Sequence, residues 1–218
     1  MMKNNKLFIV SFIINIITFL LVLVGVVLMI TIRVSALGTT DITVFKYFTF
    51  QSNVFMGVVA FIYAWYQLLI LLNKRDKLPH VLLVFNHVGV TAVGLTFLIV
   101  IFFLAPGYGF DKMYQYANLF FHGIVPVVAM INFMFIEKEC KIRFVDTLFS
   151  IIPSLLYGIV YFIVVAATNG YGDIKIDFYM FGANGPVIGA FNFLAVMSIA
   201  YIFGLIIYFV HLLVFKKR

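Results

Sequence analysis

One cysteine, one tryptophan and eight acidic residues are all that this 218-residue chain contains of those types. Cys140 alone cannot close an intramolecular disulfide and has no partner at metal-ligand spacing, so it reads as an incidental thiol. Charge is scarce: 11% of residues are charged and 65% hydrophobic, where ordinary soluble domains are about a quarter charged and about half apolar. With a mean hydropathy of +1.15, a soluble fold would have too little polar surface to cover itself. Lipid as solvent removes that problem. Gly-rich phosphate loops, HExxH and GxSxG are all missing, which removes the usual nucleotide, metallohydrolase and serine-hydrolase chemistries. No cofactor and no metal are expected. The net charge of +7 comes from short basic clusters between apolar runs. That is a topology signal, not a face for nucleic acid.

What the chain does have is apolar length. A membrane-crossing helix needs about 20 mostly apolar residues, and six segments qualify: 7–32, 47–72, 81–104, 117–136, 147–167 and 187–215. The expected fold is an all-α integral membrane protein, one transmembrane domain over 1–218 forming a six-helix bundle, without internal repeat or second domain. The first run, followed by Val34-Ser35-Ala36, has the outline of a cleaved signal peptide, but a signal core is roughly 7–15 residues and this run is far longer. It is therefore expected to stay as a span. No charged residue falls inside these spans and no buried carboxylate is expected, which disfavours a paired-carboxylate or proton-coupled mechanism. Eleven of the fifteen Lys and Arg residues flank one side, which predicts that both termini are cytoplasmic. The Lys-, Ile- and Phe-rich composition suggests a bacterial plasma membrane. Loops 33–46, 105–116 and 168–186 then face outward. The last, YGDIKIDFYMFGANGP, reads first as an interfacial aromatic loop and alternatively as a partial lid.

The chemistry has to come from uncharged polar residues in the spans. Thr49 and Asn53 are four apart and share a face of the second span, with Gln51 beside them; Asn118 and His122 do the same in the fourth. Asn192 lies one to two turns into the sixth. All three spans enter from the same side, so at 1.5 Å per residue Thr49, Asn53, His122 and Asn192 fall roughly 3–10 Å below that boundary. Pro126 cannot donate to the carbonyl of His122, which predicts a kink and a free acceptor beside the imidazole. Pro153 is expected to free the carbonyl of Phe149 in the same way. The plainer reading is that such side chains bond neighbouring helices, at about 0.6 kcal/mol each. His87 reads that way, with Asn86 or Thr91 as helpers. His87 and His122 are too far apart in depth to share one iron, while the pair His87 and His211 remains open.

Lys46-Tyr47-Phe48-Thr49-Phe50 opening the second span, His122-Gly123-Ile124-Val125-Pro126 in the fourth and the six-span layout together resemble the androgen-induced protein family. That family includes the androgen-dependent regulator of tissue factor pathway inhibitor, and bacterial membrane proteins are grouped with it; the Gln51-Ser52-Asn53 extension is similar to the bacterial branch. The resemblance implies an intramembrane threonine hydrolase for fatty acid esters of hydroxy fatty acids, with Thr49 as nucleophile and His122 as base. Asn118 or Asn192 would orient the imidazole, and Asn53 or Gln51 would donate to the oxyanion. The expected partner is a membrane lipid or lipid-like ester. The rival expectation is a non-enzymatic membrane protein: a small carrier, a lipid-binding module or an assembly partner.

Overall fold

A computed structural model describes residues 6–31, 42–137 and 141–216. Val34-Ser35-Ala36 and Cys140 lie outside the described residues. Six helices are long and apolar enough to cross a membrane: α1 (Lys6–Thr31), α2 (Phe48–Leu71), α3 (His80–Tyr108), α4 (Ala117–Ile136), α5 (Phe144–Ala167) and α6 (Pro186–Lys216). Each starts within three residues of the expected position. No strand occurs among the described residues. The chain is a six-helix, all-α bundle of the multi-pass membrane type.

Burial ranks the helices. In its central window α3 is 61% buried, whereas α1 and α6 are 22% buried, so α3 forms the axis and the others shield it. Small residues on α3 allow the close approach on which lipid-embedded helices depend. A Cβ at Gly94 would stand 2.2 Å from the Phe203 ring, and one at Gly89 would stand 2.9 Å from the sulfur of Met56. Helices α1 and α2 run antiparallel. Val22 packs on Gly57, and further along, Asn15 Nδ2 donates to Gln67 Oε1 at 3.0 Å.

Two expectations about charge fail here. Glu137 is buried at the end of α4: it accepts from Asn86 Nδ2 at 2.7 Å and from the Ser11 hydroxyl at 3.5 Å. Asp146 lies inside the first turn of α5, 1% exposed. The Arg143 guanidinium and the His80 imidazole hold it, both at 2.8 Å. A hydropathy window places such residues just outside a span, but the chain folds them back against neighbouring helices, where hydrogen bonds replace water. Asn132 Nδ2 donates to Asn15 Oδ1 and Gln67 Nε2 to the Ser11 hydroxyl, so Ser11, Asn15, Gln67, Asn86, Asn132 and Glu137 tie α1, α2, α3 and α4 into one polar layer. In hydrocarbon an unsatisfied polar group costs several kcal/mol, so this layer fixes the register of the four helices.

The histidines of this half bond carbonyls on other helices. His87 Nε2 meets Gly204 O at 3.0 Å and His211 Nδ1 meets Phe133 O at 2.8 Å; both rings also pack on Phe133. Asn86 serves Glu137 instead of His87. Helix α5 differs from its neighbours. Thr147, Ser150 and Ser154 bond only carbonyls of α5 itself, so its polar ties to the rest run through Asp146 in its first turn and through Tyr157 and Tyr161 in its second half. Pro153 does not free the Phe149 carbonyl as expected. The first two turns are 3-10 helix, and the Ile152 N–H takes that carbonyl.

Candidate functional site

The turn that starts α2 is held by four side chains. Tyr47 is extended (φ −84°, ψ 134°), and helix begins at Phe48, whose N–H has no helical partner. The Tyr179 hydroxyl accepts it at 3.0 Å from loop 168–185. Gln51 Nε2 reaches back to Phe45 O at 2.8 Å. The Ser52 hydroxyl donates to Thr49 O at 3.1 Å. Asn53 Nδ2, fully buried, bridges Thr49 O at 2.8 Å and Phe121 O at 3.2 Å. The Gln-Ser-Asn triplet therefore clamps the peptide that carries Thr49 and joins it to the strip of α4 that carries His122.

Thr49 itself is set apart. Thr18, Thr31, Thr91, Thr96, Thr147 and Thr168 each donate to a carbonyl three or four residues back, the usual resting place of a threonine hydroxyl in a helix. The Thr49 hydroxyl bonds none of the described residues. It lines a cavity of about 450 Å³ between α2, α3, α5 and α6. Aliphatic and aromatic side chains dominate the wall, with Thr96, Ser154 and Asn192 as polar points. Phe103 and Asn192, both exposed, mark the side on which it opens to the bundle surface.

Loop 168–185 covers this cavity with Tyr179, Met180 and Phe181, the arrangement expected of a partial lid. Asp177, fully buried, folds the loop: its carboxylate accepts from the Tyr161 hydroxyl and from the N–H groups of Gly172 (3.0 Å), Phe181 (3.0 Å) and Gly182 (2.8 Å). This web keeps Met180 at φ 56°, a left-handed conformation that costs a non-glycine residue roughly 1–2 kcal/mol. Further ties fasten α5 to the α2 entry and the lid to α6. The Tyr157 hydroxyl donates to Lys46 O at 2.6 Å, and Asn192 Nδ2 donates to Phe181 O at 3.0 Å. Burial pushes the Tyr179 phenol up to about 12, so its proton stays in place.

His122 lies in a widened π-helical turn, Phe120–Ile124, one residue short of the α-helical stretch bearing Pro126. Such turns often accompany functional side chains. Its Nδ1 meets Met113 O at 2.7 Å. A carbonyl only accepts, so Nδ1 carries the hydrogen and Nε2 of the neutral ring keeps its lone pair. The orienting group is thus the Met113 carbonyl; Asn118 instead donates to Lys112 O at 3.3 Å and Asn192 to the lid.

The four residues expected at one depth therefore divide. Thr49 and Asn192 share the cavity, whereas Asn53 and His122 face the α1–α4 side and line neither that cavity nor the groove beside it. Gln51 lines the groove. No hydrogen bond joins Thr49 to His122. Sequence reasoning missed Tyr157, Tyr161, Tyr179 and Asp177. Tyr157 and Tyr161, four apart on one face of α5, carried a signal, but nothing in the sequence singles out their partners Asp177 and the Lys46 carbonyl. Among the described residues no group of three or more His, Cys, Asp or Glu side chains could hold a metal ion. No family model, curated protein or solved structure matches the chain.

Proposed function

We propose that this protein is an intramembrane lipid-ester hydrolase that draws an acyl chain into the α2–α3–α5–α6 cavity and attacks its ester with Thr49. The observation that carries the reading is the Thr49 hydroxyl: unlike the other threonines described above, it is uncommitted to backbone, and it stands on the wall of an apolar cavity of about 450 Å³. The resemblance of the Lys46–Phe50 and His122–Pro126 segments to the androgen-induced family supports the same assignment. It suggests a fatty acid ester of a hydroxy fatty acid as substrate.

In this reading Thr49 Oγ1 adds to the ester carbonyl carbon, and the resemblance makes His122 Nε2, the ring position left basic by the Met113 bond, the acceptor of its proton; because His122 does not line the cavity, the transfer requires a relaying water or a movement of α4 toward Thr49. The collapsing intermediate expels the alcohol, which takes that proton back. Water then cleaves the acyl-threonine by the same route. Asn192 has a second amide hydrogen beyond the one given to Phe181, and it faces the cavity as a donor for the oxyanion. Asn53 has committed both amide hydrogens to backbone carbonyls, and Gln51 lines the neighbouring groove instead of this cavity. The basic-residue count supports cytoplasmic termini, and with that orientation the cavity belongs to the outer leaflet.

A second reading, an acyl-lipid-binding protein without turnover, is favoured by a specific observation: His122 does not line the cavity. One experiment separates the two. Purified protein is incubated with a fluorescent fluorophosphonate and with a series of fatty-acyl esters, alongside Thr49→Ala and His122→Gln. The hydrolase reading expects labelling and ester cleavage that both variants abolish. Labelling undiminished in Thr49→Ala removes Thr49 as nucleophile. Lipid that co-purifies without being cleaved establishes the binding protein.

A further inference from the structure

A second void lies on the other face of α5. It is a groove of about 540 Å³ between α2 and α5, separated from the first cavity by the shared side chains Phe48, Tyr157 and Tyr161. Its polarity is graded along the helix. The deep end is walled by Phe55, Pro153, Leu156 and Val160, and the end nearest the lid carries Lys46 and Lys175. From Pro153 to Val164 it follows eleven residues of α5, or roughly 16 Å at 1.5 Å per residue. Depth of this kind suits an acyl chain with its head at the interface.

Among the described residues the two ammonium groups have no carboxylate within ion-pair distance. Lys46 Nζ touches Lys175 O at 3.4 Å and lies over the Phe178 ring at 4.6 Å. Of the acids described in this loop, Asp173 takes the backbone N–H of Lys175, and Asp177 is enclosed by the lid amides and Tyr161. Two cations at the mouth of an apolar furrow opening to lipid are complementary to one occupant, a lipid whose headgroup is an anion.

We propose that the α2–α5 groove is a binding site for an anionic phospholipid, its phosphate held between Lys46 and Lys175 and one acyl chain lying against Phe55, Leu156 and Val160. The site is independent of any chemistry at Thr49. The protein is reconstituted in nanodiscs of equal parts phosphatidylglycerol and phosphatidylcholine, released into mild detergent, and its retained lipid is counted by native mass spectrometry. Wild type is expected to retain phosphatidylglycerol preferentially. Lys175→Gln is expected to lower that retention about fivefold, the factor for one lysine facing anionic headgroups. The Lys175 side chain is exposed and makes no hydrogen bond of its own, so the variant leaves the fold intact. Leu156→Trp, which fills the groove from its lipid-facing wall, is expected to remove retention whatever the headgroup. Equal retention of the two lipids by wild type, or unchanged retention in Lys175→Gln, overturns the proposal. So does displacement of the lipid by millimolar inorganic phosphate, which would assign the lysines to a soluble anion.

Discussion

Replacing Asp177 by asparagine tests whether one carboxylate holds the lid. Its Oδ1 accepts from the Tyr161 hydroxyl and the Phe181 N–H, and its Oδ2 from the N–H groups of Gly172 and Gly182. Asparagine keeps a single acceptor oxygen, so two of the four donors would meet an NH₂ group. Hydrogen bonds to charged groups contribute about 1.5–3 kcal/mol each, and the loss of two therefore weakens the closed loop by about 3–6 kcal/mol. At 1.4 kcal/mol per factor of ten, the open population rises by at least about a hundredfold. Hydrogen–deuterium exchange in detergent reads this directly: the amides of Gly172, Phe181 and Gly182 are expected to exchange faster by that factor, and that of Phe48, capped by Tyr179, is expected to follow. Asp173→Asn, which alters only the acceptor for the Lys175 N–H, is the control. Unchanged exchange across 168–185 in Asp177→Asn would refute the assignment of the lid to this carboxylate.

Other perturbations follow from the same geometry. In Gly158→Ala the new methyl would sit 1.8 Å from the Phe193 ring, so Phe193 must swing within the cavity wall; a loss of about 1–3 kcal/mol and lower acyl-lipid occupancy are expected, read by thermal unfolding and by mass spectrometry of bound lipid. Asn53→Ala removes the bridge between Thr49 O and Phe121 O and is expected to cost about 1–2 kcal/mol, seen as a lower unfolding midpoint. Glu137→Ala strips an acceptor from Asn86 and Ser11, with an expected loss of about 2–4 kcal/mol, while Glu137→Gln, which keeps one amide oxygen, loses less. Equal midpoints for those two variants would show that the polar layer does not depend on the acceptor.

The six helices were legible because lipid imposes a one-dimensional rule, about 20 apolar residues per crossing, that needs no partner to be read. Thr49 was legible for a similar reason, since its motif opens a span. Burial across helices obeys no such local rule. Glu137 and Asp146 lie next to hydropathy windows as any solvated loop acid would, and it takes partners distant in sequence, Asn86 and His80 on α3, to make them interior. Depth estimates placed Asn53, His122 and Asn192 with Thr49, but depth carries no information about azimuth, and only Thr49 and Asn192 of the four line the cavity. The lid was partly visible as an aromatic, turn-rich stretch. What decides its path is Asp177, a residue whose four donors are contributed by α5 and by the loop itself.

The attachment of α5 near its start and again past its midpoint has a mechanical consequence. Between Asp146 and Tyr157 none of its side chains bonds another span, and the far end of that stretch borders both voids: Ser154 on one, Pro153 and Leu156 on the other. A rod pinned at two points and only packed between them bows by sliding hydrocarbon against hydrocarbon, breaking no polar contact as it does so. Such flexing would widen the voids sideways. A long-chain molecule then has a route into the protein from the bilayer that never passes through water and leaves the roof shut.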